Sequence, residues 1–114
     1  MAPPLDRERI ARDFAASVNM TADELRDWLD SCESQRVGWK GSDGSAAESV
    51  GHASGRRIAQ ILDQDNERLT ADDYRHMRKV VGFVRRHLAQ TPTNQVTSRW
   101  RYSLMNWGHD PLKD

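Results

Sequence analysis

Five cations between Arg75 and Arg86 are the residues best placed to do chemistry. At about 100° per residue, Arg75, Arg78, Lys79 and Arg86 fall within an arc of roughly 100°, with Gly82 at its centre and Arg85 at its margin. This is the charge arrangement of a helix lying along a phosphate backbone, and Gly82 would let that backbone come close. The competing reading is an ordinary solvated face. Within the helix no acid stands four residues from any of the five, so they lack that local partner.

Two further groups could hold an anion. Arg56 and Arg57 follow Gly51, Ala53, Ser54 and Gly55. A helix starting at Ser54 would offer free N–H groups and two guanidiniums to a phosphate. A helix starting at Ser49 would instead make the glycines packing residues and leave the arginines on the surface, and this second reading is favoured. The other group is Ser98-Arg99-Trp100-Arg101-Tyr102, where cations alternate with aromatics as in single-strand binders. Trp100 shares a helical face with Leu104 and Trp107 and is expected in the core, which leaves Arg99 and Arg101 for a ligand.

Other chemistry finds little support. His52, His76, His87 and His109 include no pair at helical metal-ligand spacing, and His76 and His87 would stand roughly 16 Å apart on one helix. No glycine run has phosphate-loop or dinucleotide spacing, and no nucleophile signature surrounds a serine. The sequence therefore predicts no enzyme, no metal and no cofactor.

The elements that position these residues are helical. Ile10, Phe14 and Val18 recur every fourth residue after Asp6, a helix over about 6–18. Thr21 and Glu24 form a capping box, followed by Leu25, Trp28, Leu29 and Cys32 on one face, a helix over about 22–32. Residues 33–48, with Gly38, Gly41 and Gly44, read as a glycine-rich mobile loop in which Trp39 either folds back or is displayed. Val50, Ile58, Ile61 and Leu62 mark a third helix. Thr70 caps a fourth, through Tyr74, Met77, Val81, Val84 and Leu88 to about Gln90. Thr97 or Ser98 caps a last one, ended by Gly108 and Pro111. The fold class expected is all-α: a compact bundle of about five helices in one domain, residues 1–114, with a flexible start at 1–5.

Hydrophobic residues make up 37% of the 114 and charged residues 30%, so the core must be thin and rely on large side chains such as Trp28, Trp100 and Trp107. Net charge is zero, which argues against coating nucleic acid by bulk charge. Residues 1–48 nevertheless hold six Lys/Arg and ten Asp/Glu, and residues 49–114 hold eleven and seven, so an anionic partner should meet the second half. Cys32 has no second cysteine to pair with, the start lacks a signal-peptide pattern, and no run approaches a membrane span. A soluble, cytoplasmic protein without a membrane partner is the expectation.

Four stretches also carry a family pattern: Val18-Asn19-Met20-Thr21 with Glu24-Leu25 and Trp28-Leu29; Glu48 to His52 with Ser54 to Ile58; Tyr74 to Gln90; and Arg99 to Pro111. From about Asp13 onward the chain resembles an uncharacterised family of small bacterial and fungal proteins, a domain of unknown function in which some members are labelled DNA-binding. The resemblance imports no mechanism. A second, looser likeness is to SAP-type DNA-binding modules, which the chain resembles in its helix, extended stretch and helix with Arg56-Arg57, with a longer loop. The leading expectation is a small DNA-binding protein, DNA more than RNA, that contacts phosphates through Arg75, Arg78, Lys79, Arg85 and Arg86, helped by Arg56, Arg57, Arg99 and Arg101, with little sequence preference. The alternative is a protein-interaction module or homodimer with no nucleic-acid role.

Overall fold

The computed structural model describes residues 6–37, 48–90 and 98–113, and among these every regular element is a helix. α1 runs over Arg7–Ser17, α2 over Ala22–Leu29, α3 over Cys32–Arg36, α4 over Val50–Asp63, α5 over Ala71–Leu88 and α6 over Arg99–Asn106, with a 3₁₀ turn at Asn66–Arg68. The expected all-α fold is what the chain adopts, with six α-helices where about five were read.

The helix starts are local chemistry. Asp6, Thr21, Ser31, Ser49, Thr70 and Ser98 each accept a hydrogen bond from a backbone N–H in the first turn of the helix that follows. At Thr21 and Thr70 the bond is reciprocal, because Glu24 and Asp73 accept from the cap residue's own N–H.

The sixth helix is a correction. The second helix was expected to reach Cys32 and the loop to begin at residue 33, but α2 stops at Leu29 and residues 32–36 form α3. Ser31 causes the break: its hydroxyl donates to the Trp28 carbonyl at 2.6 Å and accepts from the Ser34 N–H at 3.2 Å, ending one helix and capping the next. Ser34 and Val37 are then buried, so this stretch belongs to the packed body. Glu48 and Ser49 are likewise bonded residues leading into α4. Trp39 and the glycines of residues 38–47 lie outside the described residues, as do residues 1–5.

The core gathers one face of each long helix: Ile10 and Phe14 of α1, Leu25 and Leu29 of α2, Ile58 and Ile61 of α4, Met77, Val80 and Val84 of α5, and Leu104 of α6 with Trp107 just beyond it. Burying each such aliphatic side chain contributes about 2 kcal/mol. α5 packs along α1, while α4 packs against α2 and α6.

Asn106 knots the second half to the first. It is fully buried, and its Oδ1 accepts from Trp28 Nε1 at 2.8 Å and from the Ser34 hydroxyl, while its Nδ2 donates to the Ser34 carbonyl at 3.1 Å. Beyond it Gly108 takes a φ of +84°, and its carbonyl accepts from the N–H groups of Asn19 and Met20.

Candidate nucleic-acid interface

The start of α4 decides between the two readings of Arg56 and Arg57. Ser49 is the cap and the helix begins at Val50, so Gly51 and Gly55 lie inside it and the N–H groups near Ser54 are already bonded within the helix. A Cβ on Gly55 would stand 2.5 Å from the Asn106 carbonyl oxygen and 2.7 Å from Leu29 Cδ2. The glycines are there for close packing, which offsets their cost of about 1 kcal/mol each in helix propensity.

Each arginine then has its own carboxylate. Arg56 bonds Glu48 through Nε at 2.8 Å, and it lines a hollow with Arg26, Asp30 and His52. Arg57 reaches Asp73, in the first turn of α5, at 3.2 Å. Arg101 meets both carboxylate oxygens of Asp110 at 3.2 Å in a half-buried pair. These pairs hold Glu48 down to about 2, where the Arg56 hydrogen bond is the main cause. Asp110 also lies below the usual range; burial is the largest single influence and would raise it, but the hydrogen bonds from Arg101 and the Leu112 N–H, with the charges of Arg101 and His109, together outweigh it. Arg99 is exposed at the start of α6.

α5 presents the other five cations along its exposed side. Arg75 pairs with Asp72 at 2.6 Å, and Arg85 lies 3.5 Å from Asp13 of α1. Arg78, Lys79 and Arg86 are exposed and form no ion pair among the described residues. Gly82 faces outward between them: a Cβ there would stand 3.1 Å from the Arg86 guanidinium.

The two borders of this basic face differ. On the α1 side, Arg78 and Arg85 line a hollow shared with Arg9, Asp6 and Asp13, where charges alternate. On the α6 side, Lys79 and Arg86 border a groove of about 350 Å³ whose other walls are Val50, Gly51, Phe83, His87, Ser103, Asn106 and Trp107. Phe83 stacks on Trp107 with centroids 4.3 Å apart and on His87 at 4.7 Å, and His76 stacks on the Trp107 ring at 6.2 Å. Burial, with Arg57 and Lys79 nearby, pushes His76 down to about 4, and its Nε2 lies 2.9 Å from the Ser54 hydroxyl.

This groove was not legible in the sequence. Phe83 falls between the basic arc and the apolar stripe of α5, and that intermediate position is the one signal that could have marked it. The interleaved motif turned out differently from its linear appearance. Trp100 donates its N–H to the His87 carbonyl at 2.6 Å, and Tyr102 packs its ring on Trp28 at 5.3 Å. Both aromatics are thereby engaged inside the molecule. The described residues hold no cluster of three or more metal-ligating side chains and no helix long and apolar enough to cross a membrane.

Residues 13–105 match the model of a family described as protein of unknown function (DUF3140), and the chain belongs to that family. No curated protein and no solved structure matches it.

Proposed function

We propose that this member of the family binds nucleic acid through the exposed side of α5, with Arg78, Lys79 and Arg86 as the phosphate contacts and Arg75 and Arg85 at the margins. The observation that carries this reading is the set of three exposed cations on one helix with no acid partner among the described residues, arranged around a glycine over which the Arg86 guanidinium lies. Arg75 and Arg85 are each more than half exposed and face single carboxylates, and such pairs contribute little and can exchange for a phosphate. Arg56, Arg57 and Arg101 are committed to Glu48, Asp73 and Asp110, so their contribution is secondary. Phosphate contacts alone carry no sequence information, so binding has little sequence preference.

The test is a fluorescence anisotropy titration against labelled duplex DNA at two salt concentrations. Three phosphate contacts predict a loss of about 40-fold in affinity between 50 and 200 mM salt. The Arg78→Gln, Lys79→Gln, Arg86→Gln triple variant should remove most of the binding and flatten the salt slope. Absence of binding at low salt, or a triple variant that binds as well as the parent, ends the proposal. Self-association in sedimentation that the same substitutions abolish would favour the protein-interaction alternative.

A further inference from the structure

Three tryptophans lie among the described residues, and two of them use their indole N–H inside the molecule. Trp28 donates to Asn106 and Trp100 to the His87 carbonyl. Trp107 is more deeply buried than either, at 5% exposed, yet its N–H donates to no acceptor among the described residues. Buried indole N–H groups usually find a partner, and leaving one without costs stability. The nitrogen is not sealed off, because no buried side-chain nitrogen or oxygen among the described residues lacks a partner. The small part of Trp107 that solvent reaches therefore includes Nε1.

What keeps it open is Gly51. A Cβ at that position would stand 3.0 Å from Trp107 Nε1, and both residues line the groove beside α5. The groove thus combines an apolar wall of Phe83, Val50 and Trp107, one donor set into that wall, and two cations at its border, Lys79 and Arg86. Lys79 and Arg86 are seven residues apart, roughly 10 Å of helix rise. That separation suits a strand with a phosphate on either side of an inserted ring better than a single small carboxylate.

We infer that the groove takes one unpaired base of a nucleic-acid strand. The base lies in the groove against Val50 and the groove-side edges of Phe83 and Trp107, whose faces are taken by their own stack. A carbonyl oxygen or ring nitrogen of the base accepts from Trp107 Nε1, and the flanking phosphates meet Lys79 and Arg86. A base stacked within a duplex cannot enter, so single strands are preferred. The inference rests on the reading of α5 as a phosphate-binding face and adds the kind of nucleic acid it selects.

The experiment titrates the full chain with a short labelled single strand, with the same sequence as a duplex, and with a nucleoside monophosphate, following anisotropy and tryptophan emission. The single strand should bind about tenfold more tightly than the duplex and shift the tryptophan emission, as one added base contact would produce. Gly51→Ala, which covers the N–H, should reduce single-strand affinity to that of the duplex. Val50→Glu, which places a carboxylate at the groove mouth where the helix dipole tolerates it, should lower single-strand affinity more than duplex affinity, and a thermal melt of each variant shows whether its loss is unfolding. Equal affinities for single strand and duplex, unmoved by either substitution, would overturn the groove assignment while leaving the phosphate face standing. A monophosphate that binds as tightly as the strand would overturn the choice of a strand. Binding of neither strand nor duplex at low salt would remove the phosphate face and the groove together.

Discussion

The two flanks of α5 are built by opposite means. On one side α1 lies along it through Ile10 and Phe14, and its acids Asp6 and Asp13 stand beside Arg78 and Arg85. On the other side α6 meets it through rings stacked on Trp107 and the Trp100 bond to the His87 carbonyl, while two glycine contacts and the Asn106 knot fix α6 against α4, α2 and α3 behind it. Among the described residues no acid lines the groove beside Lys79 and Arg86. The first flank is apolar beneath and charge-balanced above. The second is held by specific polar and close-packed contacts and leaves its cations unbalanced. Helices of one amphipathic pattern can thus dock with different chemistry, and the site arises where the docking leaves charge and a donor unanswered.

Substitutions can test that contrast. Phe14→Ala should have the largest effect, a loss of about 3–5 kcal/mol in chemical denaturation, because the α1 flank depends on burying that ring. Asn106→Ala should follow at about 2–3 kcal/mol, since it strips the acceptor from Trp28 and Ser34 and leaves their donors buried. If the asparagine proved the costlier of the two, the description of the flanks would be reversed. Gly55→Ala should cost about 2 kcal/mol despite the better helix propensity of alanine, because the added methyl meets the Asn106 carbonyl and Leu29; a stabilised variant in a thermal melt would show that the α4–α6 approach is looser than described.

Acid should act on the α6 flank first. His76 is held near 4 in the folded chain against its ordinary 6.5, so the unfolded chain takes up the proton first. Its contribution is complete above pH 6.5, is lost as pH falls from about 6.5 to about 4, and changes no further below that. His76→Gln should flatten the melting-temperature slope in that window. Glu24 and Glu48, held down from 4.5 to about 2 chiefly by their hydrogen bonds with Lys113 and Arg56, lose their contributions as pH falls from about 4.5 to about 2 and so overlap the His76 window only at its acid end. The smallest effect is expected for Arg85→Gln, a stability change within about 0.5 kcal/mol, because its pair with Asp13 is exposed on the arginine side. A larger loss would mean that charge pairing, and not burial, holds α1 in place.

Much of the fold could be read from the chain because its signals are local. Thr21 with Glu24 and Thr70 with Asp73 needed only four residues each to announce a helix start, and the four-residue recurrence of Ile10 and Phe14 announced the face that packs. The end of α2 was misread because Ser31 could serve equally as an interior helix residue or as a cap, and the choice depends on burying Ser34 against Asn106, 72 positions away. The basic arc was legible as a pattern, whereas the pairing of its members was not. Arg85 meets Asp13 across 72 residues and Arg57 meets Asp73 across 16, separations that no local spacing rule covers.

What the sequence determined by itself is five of the six described helices, the caps that start them and the cationic side of α5, since hydrogen-bond geometry and 3.6-residue periodicity act within a few residues. Tertiary structure alone decided which of those cations keep their charge unanswered, that Phe83 and Trp107 form one wall, and that Gly51 leaves an indole N–H open beside Lys79 and Arg86. Those outcomes depend on how α1, α4 and α6 dock against α5, where a single crossing sets many distant contacts at once.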